Sequence, residues 1–407
     1  MATRSDDTAL DGDTTGRPTL VCPFCALLCD DLSPPQRDAD VLTEPHRCAL
    51  ATAGFSHALQ ATEATPTIAG TPVGWTEAID QARALLEAAR APLMHGLVGD
   101  LLDCSAALRL AERFGGVVDH RSGAAVADGL AVYQDSGWFA ASLGEVRNRA
   151  DLIVWIGADP DDLMPRLRQR LLQAADRLHT EHPPQVVHLD QDALEILDQV
   201  RVLQRARPLP NPDRRAVDLH EQILRSRYPV LVPLLKDHRF AEQVLRSAGD
   251  LVGQLNGSGR AALLMLATDI GAATALQASA WHCGFGLRTR FAHGCAEQDR
   301  VRFAAPRLLA DQEVDLMVWF SSLSDDPPPA CRQPTIAIGH PQMRFDGAPP
   351  QVFLPVAVPG VHRAGYMHRA DGVHMLPLRA IAASSLPGTA QLVAQLLDAD
   401  QTEGRTC

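Results

Sequence analysis

The chain has 407 residues, 46% hydrophobic and 21% charged, the proportions of a folded globular protein of about two or three domains rather than a disordered or collagen-like one. Its net charge of −12 excludes a general affinity for phosphate backbones, which needs clustered cations, so no nucleic-acid partner is expected. Of 37 basic residues only Lys236 is a lysine, which excludes a lysine-bearing phosphate loop and leaves little scope for Schiff-base chemistry.

Residues 1–19 are polar and predict a disordered tail without the apolar core of a secretory signal. The longest unbroken apolar run, Ala261 to Ala267, falls far short of the roughly 20 residues of a membrane helix, so a cytoplasmic protein with no membrane partner is expected. Residues 20–65 carry four of the nine cysteines and little periodicity. Thr76 is placed to cap a helix whose apolar face is Ile79, Ala82, Leu85, Leu86 and Ala89. Next come a buried strand from Pro92 to Val98 and a helix from Leu101 to Phe114 that stops at Gly115-Gly116. A strand from Leu152 to Ile156 runs into the tight turn Gly157-Ala-Asp-Pro160. Further strands are predicted from Val186 to Leu189, Leu263 to Ala267, Leu316 to Phe320 and Thr335 to Ile338. Residues 195–250 read as helical, polar and Arg-rich, with Leu219, Ile223 and Leu224 marking a surface helix. A Pro-rich elbow at 325–329 separates two late strands, and the C-terminus reads as a helix with a frayed tail. This alternation of strands and helices predicts an α/β protein with parallel sheets.

The most specific motif is Cys22-Pro-Phe-Cys25-Ala-Leu-Leu-Cys29-Asp-Asp31 followed by Cys48, a C-x2-C-x3-C-x18-C spacing. A [4Fe–4S] cube needs four thiolates converging from different directions, three from one tight loop and one from a returning segment. Zinc is the alternative, although structural zinc sites usually pair two short knuckles, and here the second half is a lone cysteine. An emptied site and four unrelated buried cysteines are the remaining readings. Asp30 and Asp31 are expected to accept backbone N–H groups that shape the loop. His282-Cys283 with His293 and Cys295, and the histidines 362, 368 and 374, read as packing and polar contacts of an extended arm. Cys104 and Cys331 read as single buried thiols. No Ser-His-Asp set or G-x-S-x-G elbow is found.

The run from Cys22 to Leu32 resembles the opening of the B subunit of formylmethanofuran dehydrogenase, a member of the molybdopterin oxidoreductases. Three later stretches are similar to that family: 133–138 with its Gln-Asp pair, 143–160 with its strand and Gly-Ala-Asp-Pro turn, and 358–373, Pro-Gly-Val-His-Arg through Arg-Ala-Asp-Gly-Val. The resemblance implies a molybdopterin-oxidoreductase-like layout. An iron–sulfur domain would span 20–65, a first α/β domain 66–122 and 255–355, an inserted second α/β domain 123–254, and a returning arm with a C-terminal helix 356–407. The C-terminal β-barrel domain of larger relatives would be absent, so partner chains are expected.

Two departures follow from that resemblance. The family's molybdenum- or tungsten-binding cysteine stands just before the Gln-Asp pair; here that position is Ala125, with Val126 in place of the following histidine. A soft metal held by dithiolenes needs a thiolate or selenolate from the protein, so loss of molybdopterin, molybdenum and tungsten is expected. His120 and Asp128 are the only nearby donors, and an active enzyme would have to use one of them. The lysine that often follows the last cluster cysteine is also missing, since Cys48 precedes Ala49-Leu50-Ala51. Gly157 and Asp159 remain candidates for a vestigial pterin cleft, because a turn entering a helix offers N–H donors to a diphosphate. Within the family these losses resemble the B subunit of the bacterial formyltransferase/hydrolase complex of methylotrophy. That implies a structural, redox-inactive role alongside hydrolase, formyltransferase and β-helical subunits in methanofuran- and tetrahydromethanopterin-linked one-carbon metabolism. The alternatives are an active dehydrogenase chain and an unrelated zinc-stapled binding module.

Overall fold

The computed structural model describes residues 19–33, 48–173, 177–178, 182–236 and 238–398; the expected tail lies outside these apart from Thr19. Its larger sheet has a parallel centre formed by Val117–His120, Pro92–Val98, Leu316–Ser321, Thr335–Gly339 and Val352–Pro355. Antiparallel pairs extend both edges: Thr289–Ala292 with Cys295–Gln298 on one side, Thr67–Ile68 with Thr71–Pro72 on the other. Every residue of Pro92–Val98 is buried, as a central parallel strand covered by helices on both faces requires. Helix Leu101–Phe114 begins at Asp100, whose carboxylate accepts the Asp103 N–H, and ends on the left-handed Gly115. Helix Trp75–Ala88 starts two residues earlier than expected, from Gly74, so Thr76 lies inside its first turn and does not cap it.

The smaller sheet is wholly parallel, in the order Gln185–Leu189, Leu152–Gly157, Pro229–Leu234, Ala262–Leu263. It corrects the sequence reading twice. Pro229–Leu234, fully buried, is a central strand within a stretch read as helical. Its short apolar run is flanked by Arg-rich surface helices that dominate any window average, and its two prolines argue against a central strand. The expected strand from Leu263 to Ala267 shrinks to Ala262–Leu263, beyond the boundary at 254. After it the chain leaves the sheet, and the Ala267 N–H reaches Ala370 O (2.8 Å) instead.

The returning arm ties the parts together. Its hairpin Gly365–His368 with Met375–Leu378 lies against the helices Leu101–Phe114 and Ala272–Cys283. The Ala370 N–H donates to Ala26 O (2.8 Å), and His362 Nε2 bonds Ala58 O (2.9 Å), fastening the arm to the cysteine loop and to helix Ala49–Leu59.

Candidate metal centre

The cysteine loop folds as a closed hairpin. Leu20 and Leu32 exchange backbone hydrogen bonds (2.7 and 3.4 Å), and the Cys22 N–H donates to Cys29 O (2.8 Å). Leu28 takes a positive φ of 46°, turning the chain so that Cys22, Cys25 and Cys29 are all buried. Phe24 meets the fully buried Phe55 edge to face, with centroids 4.8 Å apart, and so pins the loop to helix Ala49–Leu59. Gly54 permits this contact, because a Cβ there would run into the Phe24 ring. Cys48 is the N-cap residue of the same helix and its side chain makes no capping bond, which leaves its sulfur free at the positive end of the helix dipole.

Burial first, then neighbouring thiols, pushes Cys22 well above its ordinary value and Cys25 up to about 12. Burial also raises Cys29, against the pull of Arg166 and Arg170. Each of these three feels Cys48, so all four sulfurs share one small region. Among the described residues, no three His, Cys, Asp or Glu side chains are grouped to hold a single metal ion.

Asp30 accepts a backbone N–H of the loop, and both Asp30 and Asp31 also bind arginines from distant segments. Arg166 grips Asp31 through both terminal nitrogens (2.7 and 2.6 Å). Arg170 pairs with Asp30 and with Asp31 (3.4 Å), and Arg369 of the arm bonds Asp30 (2.6 Å). The grip on Asp31 holds the Arg166 guanidinium beside Cys29, two residues before Asp31 in the chain.

Ala125 lies exposed in the first turn of helix Gly123–Ser136, beside the half-buried Val126, and neither side chain carries a donor atom. His120 is no substitute ligand. Its Nδ1 accepts the Ser122 N–H (2.9 Å), and its Nε2 donates to Ile270 O (3.0 Å), so both ring nitrogens are engaged. Burial draws its pKa down to about 4. Asp128 faces Arg300 (3.7 Å). Next to His120, Asp269 accepts two bonds from Arg121 (2.7 and 2.6 Å) and one from Ser122 (2.5 Å). Burial alone would raise Asp269, but Arg121 overrides it and holds the carboxyl far below the usual range. A folded-state pKa below the unfolded one contributes stability above about pH 4 that is lost as the pH falls through the folded value. Asp269→Asn is therefore expected to flatten the acid limb of a urea-midpoint-against-pH profile; an unchanged slope would refute the assignment.

The Gly157 turn is built for packing, not for a diphosphate. Gly157 has φ +95°, and a Cβ there would sit 2.6 Å from Leu234 O of the adjacent strand. Asp159 itself accepts the Asp161 N–H (2.9 Å) and its backbone oxygen takes that of Asp162 (3.2 Å), so these two donors of the turn are already used. Its carboxylate is gripped by Arg168 (2.9 Å to each oxygen). Gly157→Ala should cost about 1–3 kcal/mol through backbone strain, whereas Asp159→Asn, at a partly exposed ion pair, should cost about 0–1 kcal/mol. Chemical denaturation of the two variants checks this, and equal losses would contradict it.

The other candidates are dispersed. His282 bonds Glu112 (3.0 Å), Cys283 donates to Ser279 O (3.2 Å), and Cys295 is exposed on an edge strand. His368 makes no hydrogen bond through its ring and meets Trp281 edge to face, with centroids 5.3 Å apart, unlike the polar contact expected. Cys104 is buried as expected, while Cys331 is only half-buried.

No protein-family model matches the sequence. Over 301 residues, 70% of this chain and 82% of the relative, it is 30% identical to the Fhc B subunit of the formyltransferase/hydrolase complex of Methylorubrum extorquens. It is 33% identical to the B subunit of the tungsten-containing formylmethanofuran dehydrogenase 2 of Methanocaldococcus jannaschii over 161 residues, and this match spans 37% of each chain. The Methanococcus maripaludis protein of the same name is 29% identical, again across 37% of its length. In fold, the chain is similar to one in the crystal structure of the formyltransferase/hydrolase complex (FhcABCD) from M. extorquens with methylofuran. The TM-score is 0.72 at 24% identity, covering 82% of this chain and 98% of that one. The chain belongs to the family of the B subunit of the formyltransferase/hydrolase complex.

Proposed function

We propose that the chain is the non-redox, structural B component of a formyltransferase/hydrolase complex. In this reading it works in the cytoplasm together with hydrolase, formyltransferase and β-helical subunits. The assembly passes a formyl group from a tetrahydromethanopterin carrier to a methanofuran-type carrier and releases it as formate. Ala125 carries the proposal: the position that binds the redox metal in dehydrogenase relatives has no donor atom. The engaged His120 and the salt-bridged turn at Asp159 support it, because neither leaves groups waiting for a metal or a pterin diphosphate. The iron–sulfur site is a separate part of the reading. Cys22, Cys25, Cys29 and Cys48 would hold a [4Fe–4S] cluster, which here fastens the N-terminal loop between the inserted sheet and the arm.

The test is anaerobic purification of the complex from co-expressed subunits, with metal, sulfide and pterin analysis and an assay of formyl transfer to formate. The proposal expects a stable assembly with iron and sulfide but without molybdenum or tungsten. Stoichiometric molybdenum or tungsten with a pterin would overturn it, as would full formate release by an assembly lacking this chain. Zinc in place of iron and sulfide would overturn the cluster assignment alone.

A further inference from the structure

The cysteine site is buried, and a cube with four thiolates carries net negative charge that burial opposes. Opposite charge close to the sulfurs must offset that cost. Arg166 is a good candidate by position. It stands just before helix Leu167–Leu172, beside the smaller sheet, and its side chain is 8% exposed. Three contacts hold its guanidinium: both terminal nitrogens on Asp31, two residues beyond Cys29, and Nε on Gln169 (3.1 Å). A side chain fixed on three sides loses little further freedom when it also donates to a sulfur.

We propose that Arg166 is a positioning residue for the cluster, hydrogen-bonding the Cys29 sulfur so as to stabilise the cluster's more negative, reduced state and to lock the loop to the inserted sheet. The inference rests on the cluster reading above. Hydrogen bonds to cluster sulfurs and nearby positive charge favour the reduced form, because reduction adds one electron and hence one negative charge while breaking no bond. In the test, dithionite supplies that electron. Arg170 lies in the same electrostatic field, but its side chain is 25% exposed against 8% for Arg166, so Arg166 should dominate.

The test uses the full chain, prepared anaerobically and reconstituted with iron and sulfide, and reads cluster content and the midpoint potential by EPR-monitored titration. Arg166→Gln is expected to shift the potential to more negative values, with Arg166→Lys, which keeps the charge, lying between it and the wild type. Arg168→Ala is the control: it breaks the neighbouring pair with Asp159 and Asp161 and should leave the potential unchanged. Should Arg166→Gln fail to fold by far-UV circular dichroism, the Arg166→Lys potential decides, since the proposal requires it to shift in the same direction. A wild-type chain without iron and sulfide overturns the cluster reading and the inference together. A loaded wild type with an unmoved potential in the Arg166 variants overturns the inference alone. An equal shift in Arg168→Ala also overturns it, since the effect would then not be specific to Arg166.

Discussion

Arg363→Ala is expected to cost about 3–5 kcal/mol of stability, the range for removing one partner of a buried ion pair. The guanidinium of the arm donates to both oxygens of Asp100 (2.9 Å each) and to Asp103 (2.5 Å), and Asp103 also accepts from Ser322. Both carboxylates are buried, and Arg363 is mostly covered. Burial pushes the Asp103 carboxyl up to about 6 even with Arg363 beside it. In the variant the loss should therefore be greatest above pH 6. It should shrink toward pH 5, where a protonated Asp103 is no longer an unpaired charge. Urea unfolding at pH 5 and pH 8 checks this. A loss below about 1 kcal/mol at both values would mean that the cluster contributes no more than an exposed pair does.

The place of this ion cluster matters to the functional reading. Asp100 follows strand Pro92–Val98, where the larger sheet divides, with Val117–His120 on one side and Leu316–Ser321 on the other. Open α/β sheets take their ligands beyond the carboxyl ends of strands at such a switch point. Here the chain's own Arg363 occupies that crevice.

Phe55→Ala should be comparably severe, about 3–5 kcal/mol by the cost of emptying a buried aromatic site. Phe55 has no exposed surface, and its edge-to-face contact with Phe24 is an aromatic anchor of the cysteine loop on its supporting helix. Thermal unfolding gives the magnitude. Labelling with a thiol reagent tests the location, because an unanchored loop should expose Cys22 and Cys25 to faster modification while Cys104 stays protected. Equal labelling of all three would place the damage in the global fold instead.

Much of the site's covalent part is legible in the sequence. Cys22, Cys25 and Cys29 announce themselves by spacing, because three ligands in one loop must be close in the chain. The central strands Pro92–Val98 and Leu316–Ser321 are legible for a similar reason: burial on both faces leaves an unbroken apolar run. The arginines are not legible. Arg166 lies 135 residues from Asp31 and Arg369 lies 339 from Asp30, so only the packing of two sheets and the arm makes them neighbours. A local reading of Asp30 and Asp31 therefore offers only backbone partners and misses the arginines. Strand Pro229–Leu234 is hidden by its prolines and its cationic flanks. The Gly157 turn misleads in the opposite sense: its pattern matches a phosphate cradle, but Asp159 supplies its own anion.

The closure of the cysteine loop by Ala370 and Arg369 also sets an order in time. A ribosome releases the three loop cysteines early and the residues that cover them more than three hundred positions later. Until then the nascent loop is open on the arm's side, and its thiols stay accessible from that side throughout elongation. The late-emerging arm then closes that side.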